Sequence, residues 1–74
     1  MTGSSLLKLK KHLKFVYEEK YKSLSIYQRE KAEKGFAYLI KAENGFSDPY
    51  KDRAELSDWI NLALTYLAEA GLYE

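Results

Sequence analysis

The chain has no cysteine and only one each of proline, histidine and tryptophan. Without thiols, neither disulfides nor thiolate metal ligands can reinforce the fold, and oxidising and reducing compartments suit it equally. Long apolar runs are absent as well. The longest, Trp59 to Ala68, is interrupted by Asn61 and Thr65 and falls far short of a hydrocarbon core of about 30 Å. Leu6, Leu7 and Leu9 do not build a signal peptide, because Lys10, Lys11, His12 and Lys14 follow at once. The segment from Leu6 to Phe15 has the composition of a basic membrane-surface helix, but it is short. A lysine face over a leucine stripe is ordinary in a helix that packs against its own core. The expectation is a cytoplasmic protein without a membrane role.

Catalytic arrangements are missing too. There is no phosphate-cradling glycine loop and no grouping of serine, histidine and acid. His12 stands among lysines, with no carboxylate three or four residues away to orient it. Asp48, Asp52 and Glu55 lie close in sequence, yet the interval lacks the alternating oxygen ligands and central glycine of a calcium loop. Helix caps and favourable dipole interactions account for them. No catalytic residue, metal ligand or cofactor site is assigned, and the expectation is a protein that is not an enzyme.

What remains is a chain of 74 residues with 46% apolar and 15% aromatic content, enough for one small helical domain over residues 1–74. A domain of this size buries only about 60% of the surface its unfolded chain exposes, so its core must be efficient. Three periodic segments supply that core. Leu6, Leu9, Leu13, Val16 and Tyr17 recur at helical spacing, with Ser4 or Ser5 as the cap and an end near Tyr21 or Lys22. Ser25 followed by Gln28 has the spacing of a capping box and predicts a second helix from Ile26 to Glu43. Asn44 and Gly45 tolerate the left-handed conformation that closes a helix, with Phe46 folding back over its last turn. Asp48 and Pro49 predict the restart, with Asp52 or Ser57 as the fallback. The third helix carries Leu56, Trp59, Ile60, Ala63, Tyr66, Leu67 and Ala70 on one face and stops at Gly71. On this pattern Trp59 is a core residue. Leu62 and Leu64 widen the apolar arc, so the third helix either sits between both neighbours or offers one flank to another molecule. The fold expected is all-α, a compact three-helix bundle closed within one chain or completed by homodimerisation.

Net charge is +1, but it is unevenly placed: residues 1–42 carry ten basic against four acidic side chains, and residues 43–74 two against seven. The basic part suits an acidic protein, a nucleic acid or the acidic end of a second copy, unless the two ends simply attract within one fold. A helix-turn-helix reader is disfavoured, because Asp48, Asp52, Glu55 and Asp58 put the wrong sign at the start of the third helix.

Two features mark candidate contact surfaces. Tyr27, Lys31, Lys34, Tyr38 and Lys41 share one stripe of the second helix, whereas Phe36, Leu39 and Ile40 fall elsewhere. Tyrosine offers rigid contact area with a polar tip, and lysines beside such rings also suit phosphates and stacked bases. The alternative is internal packing, with lysine stems covering the ring edges. Phe15 projects away from Leu6, Leu9 and Leu13, beside Lys8, Lys11 and Lys22. It suits an anchor for an acidic protein, a platform for a base, or a plug against the second helix or Leu72 and Tyr73. The expected contact residues are therefore Phe15, Tyr27, Lys31, Lys34 and Tyr38. The leading functional expectation is a small protein-interaction module, a regulator or inhibitor that covers a partner's surface. A nucleic-acid-binding accessory protein ranks second, and a homodimeric structural subunit third.

Overall fold

A computed structural model describes residues 3–73. Three α-helices run in sequence: α1 over Gly3–Lys20, α2 over Ile26–Phe46 and α3 over Arg53–Glu69, with a single 3-10 turn at Tyr21–Ser23 after α1. They form an all-α three-helix bundle 40 × 19 × 17 Å in extent. Lys10 pairs with Glu43 and the Tyr17 ring meets Phe36, so α1 and α2 are antiparallel. Lys31 reaches Glu69 while Gly45 lies against Leu56, so α2 and α3 are antiparallel too.

The predicted stripes supply the core. Leu6 and Leu13 from α1, Leu39 from α2 and Leu67 from α3 are the largest fully buried side chains, and Ala32, Ala42, Ile60 and Ala63 fill the space between them. Leu24 from the first turn and Leu72 from the C-terminal turn are also buried. The bundle thus closes its core within one chain. The α2–α3 contact is the intimate one. A Cβ built on Gly35 would stand 2.6 Å from Leu67 Cγ and 3.0 Å from the Ala63 carbonyl oxygen, so only glycine lets the backbones come this near.

The caps show which local signals prevail. Ser25 Oγ accepts from the Gln28 N–H at 3.1 Å, and Gln28 Oε1 accepts from the Ser25 N–H at 2.9 Å, which is the predicted reciprocal box. At the far end, Gly71 adopts φ 79, its N–H donates to Ala68 O at 3.0 Å, and the Leu72 N–H donates to Leu67 O at 2.9 Å. This left-handed closure satisfies the last carbonyls and folds Leu72 back onto the helix.

Other boundaries differ from expectation. Ser4 and Ser5 stand inside the first turn of α1, which already begins at Gly3; what precedes it lies outside the described residues. Asn44 and Gly45 do not end α2, which continues to Phe46. Gly45 instead turns inward, where a Cβ would collide with Leu56 Cδ2 at 2.2 Å. Close packing, not left-handed geometry, requires glycine there. Nor does Asp48–Pro49 start α3. Asp48 Oδ1 accepts from the Tyr50 N–H at 2.9 Å and shapes a turn, while Asp52 caps the helix by accepting from the Ala54 N–H at 2.9 Å. Trp59, expected in the core, is only partly buried and packs at its margin. Lys41 and Lys51 lie over its ring, 4.6 and 4.7 Å from the centroid. Of the broad arc on α3, Leu64 is partly buried against the core and Leu62 remains exposed.

Candidate protein-interaction surfaces

The stripe on α2 stands along its seam with α3, and most of it is already engaged. Tyr38 stacks on Tyr66 with ring centroids 5.8 Å apart and planes 11° from parallel. Lys31 Nζ lies 3.3 Å from Glu69 Oε2 and close over the Tyr66 and Tyr27 rings, 5.1 and 5.3 Å from their centroids. The hydrogen bond to Glu69 holds the Lys31 pKa above its ordinary value; desolvation opposes it, and the charge of Glu69 adds to it to a lesser extent. Lys41 covers Trp59. Tyr27 and Lys34 are exposed along the same flank. Tyr38, Lys31 and Lys41 therefore join two helices, and the charge division along the chain is partly neutralised here.

Phe15 is placed differently. It stands on the outward face of α1 and is 61% exposed. No carboxylate precedes Glu18 in the chain. Among the described residues, Lys8, Lys11, Lys14 and Lys22 form no ion pair, whereas Lys10 is tied to Glu43. The α1 face and the α2 seam occupy different flanks of the bundle, so Phe15 does not share one continuous surface with Tyr27, Lys31, Lys34 and Tyr38.

Beside the outward face of α1, the seam with α2 opens into a groove of about 180 Å³ lined by Lys10, Lys14, Tyr17, Phe36 and Ile40. Tyr17 meets Phe36 at 5.5 Å and Tyr21 at 5.4 Å between centroids. Burial pushes the Tyr17 phenol pKa up, with Glu33 and Tyr21 adding to the effect and Arg29 opposing it. Arg29 sits over the Tyr21 ring at 4.2 Å and donates to the Tyr21 carbonyl oxygen at 2.8 and 3.1 Å, which fixes the closed end of this seam. Periodicity did not reveal the groove, because it forms where two helices fail to meet. The signal available in sequence was Ile40 falling beside, rather than on, the buried stripe of α2.

His12 is exposed on α1. Among the described residues no cluster of three or more potential metal ligands occurs, and no helix is long and apolar enough to cross a membrane. Comparison with protein-family models, curated protein sequences and solved structures returns no match.

Proposed function

We propose that this chain is a non-catalytic protein-interaction module, a regulator or inhibitor that acts by covering an acidic surface of a partner. The observation that supports it is the exposed Phe15 ring on a helix, with Lys8 and Lys11, which form no ion pair among the described residues, on its N-terminal side and the exposed Glu18 and Glu19 one turn beyond. Aromatic anchors supply much of the energy of protein interfaces, while surrounding charges steer encounter and fix orientation. Within the expected contact set, Phe15 leads, and Tyr27 and Lys34 retain free surface on the other flank. Tyr38 and Lys31 would contribute through the edges their internal contacts leave open.

A nucleic-acid-binding role is the second reading, favoured by the carboxylate-free start of the chain. The two differ in salt response. Phosphate contacts release condensed counterions, so nucleic-acid binding would fall steeply with salt and with charge reversal at Lys8 and Lys11. Protein recognition would depend on the Phe15 ring and persist at moderate salt. Titrating wild type, Phe15→Ala and the Lys8→Glu/Lys11→Glu pair against single- and double-stranded DNA and RNA, alongside affinity capture from the native host, separates them. Capture of a stoichiometric protein that Phe15→Ala abolishes supports the proposal. Tight nucleic-acid binding that ignores Phe15 contradicts it.

A further inference from the structure

We propose that the groove between α1 and α2 receives an acidic amphipathic helix of a partner protein, completing a four-helix arrangement. This rests on the protein-binding reading above and names the chemistry of the partner. The groove has an apolar floor, Tyr17, Phe36 and Ile40, with Lys10 and Lys14 at its rim. Ile40 is 49% exposed on the floor, and Leu7 is exposed on α1 nearby in the helical repeat. At the other seam of α2, Gly35 and Gly45 bring α3 into direct contact, and a cavity of about 350 Å³ opens only past its end, where Phe46 meets α3 and Arg53, Ser57 and Asn61 line it beside Leu56, Ile60 and Leu64. An apolar stripe between two helices is the shape that a third helix fills, with residues at helical spacing entering the groove.

Charge selects which helix. Glu43 at this seam is already neutralised by Lys10. Lys14 on the rim, and Lys11 and Lys8 outward of it, have no ion pair among the described residues. Glu18 and Glu33 lie toward the Tyr17 end of the seam, so the basic field is strongest at the end where α1 begins. A partner helix with carboxylates beside its apolar stripe would meet Lys14 and Lys11 while its apolar side chains cover Ile40. A helix with lysines at those places would be repelled. Nucleic acid has no aliphatic face for Ile40 to meet. A second copy of this chain would bring α1 with its own lysines, or α3, which among the described residues leaves Leu62 as its one exposed large apolar side chain.

The probe is a synthetic amphipathic helix with leucines at helical spacing flanked by glutamates. It is compared with the same peptide carrying lysine for glutamate and with a scrambled peptide of equal charge. Binding to the full chain is followed by fluorescence anisotropy, and its location by backbone amide shifts. The acidic amphipathic peptide should bind and shift Ile40 and Phe36, with affinity about tenfold weaker for Ile40→Asp and for Lys14→Glu. Equal binding of the scrambled peptide would reduce the effect to charge alone and overturn the proposal. So would equal binding of the lysine peptide, shifts confined to the α2–α3 seam, or Ile40→Asp binding as tightly as wild type. Self-association reversed by Ile40→Asp would assign the groove to a second copy instead, and preferential binding to anionic vesicles would assign it to a lipid surface; either contradicts it. Because Ile40 is half exposed, the variant should keep its helical circular dichroism; if it unfolds, Lys14→Glu on the rim carries the test. Capture of a host partner sensitive to Phe15→Ala but not to Ile40→Asp would sink the groove and leave the broader function standing. Insensitivity to both would remove both.

Discussion

A phenyl ring held in water gains nothing from the hydrophobic effect that stabilises the rest of the core. Phe15 is such a ring, and its neighbours Lys8, Lys11 and Lys22 offer no apolar cover beyond their stems. Replacing it with alanine should change folding stability by no more than about 0.5 kcal/mol, as for other surface positions, while weakening partner capture. A large fall in the urea midpoint would show that the ring supports the fold. Trp59 is the opposite case. Helical spacing placed it on the core face, and it does border the core, but the ammonium groups of Lys41 from α2 and Lys51 from the following turn lie over the indole, which stays partly exposed. Trp59→Ala should therefore cost about 2 kcal/mol, below the about 3–5 kcal/mol of a fully buried aromatic. Urea denaturation followed by circular dichroism measures it. Periodicity identifies a residue's face, but it carries no information on which neighbour's side chain will lie over it.

At the scale of elements, the three helices, the Ser25 box and the Gly71 stop were legible because each depends on contacts within a few residues. The end of α2 was not. Asn44–Gly45 reads locally as a stop, and glycine inside a helix costs about 1 kcal/mol relative to alanine. The contact of Gly45 with Leu56 offsets that cost through packing between residues distant in sequence. The same logic makes Gly35→Ala informative. Alanine should gain about 1 kcal/mol of helix propensity, but the new methyl would press on Leu67 and on a backbone carbonyl that cannot rotate away, an overpacking cost of about 1–3 kcal/mol. A net loss is expected, seen as a lower melting temperature, and a clear gain would mean that the helices can move apart freely. Gly71→Ala should also destabilise, by about 1–2 kcal/mol, since a side chain is placed at positive φ. An unchanged urea midpoint there would show that the C-terminal turn is not held in the left-handed form.

For the whole molecule, two groups tie stability to alkaline pH. Lys31 is held above its ordinary 10.5 by its hydrogen bond to Glu69, and burial holds the Tyr17 phenol above its ordinary 10.0. Each keeps its proton more tightly folded than unfolded, so its contribution is fully present below the ordinary value. It is lost as pH rises past that value and through the folded one. Thermal melts should fall off as pH rises beyond 10.0, and less steeply in a Tyr17→Phe/Lys31→Gln variant. Identical slopes for variant and wild type would remove these two groups as the cause.

The candidate surfaces were only partly legible at this largest scale, and for one physical reason. Sequence showed that Tyr27, Lys31, Lys34 and Tyr38 share a stripe, but a stripe on the middle helix of three necessarily borders a neighbour. Tyr38 and Lys31 use that border to hold α3. Phe15 escaped this because α1 has an outward face that no helix approaches. Lys8 and Lys11 form no ion pair among the described residues, since they share that outward face, whereas Lys10, turned toward α2, meets Glu43.

The central claim is that the outward face of α1 binds protein through Phe15. The most direct measurement is quantitative affinity capture from the native host with wild type and Phe15→Ala side by side, both verified as folded by their melting curves and repeated after nuclease treatment. A protein captured in stoichiometric amount by wild type, retained after nuclease and lost with Phe15→Ala, is the predicted result. Capture that survives Phe15→Ala unchanged, or that disappears with nuclease, would contradict it.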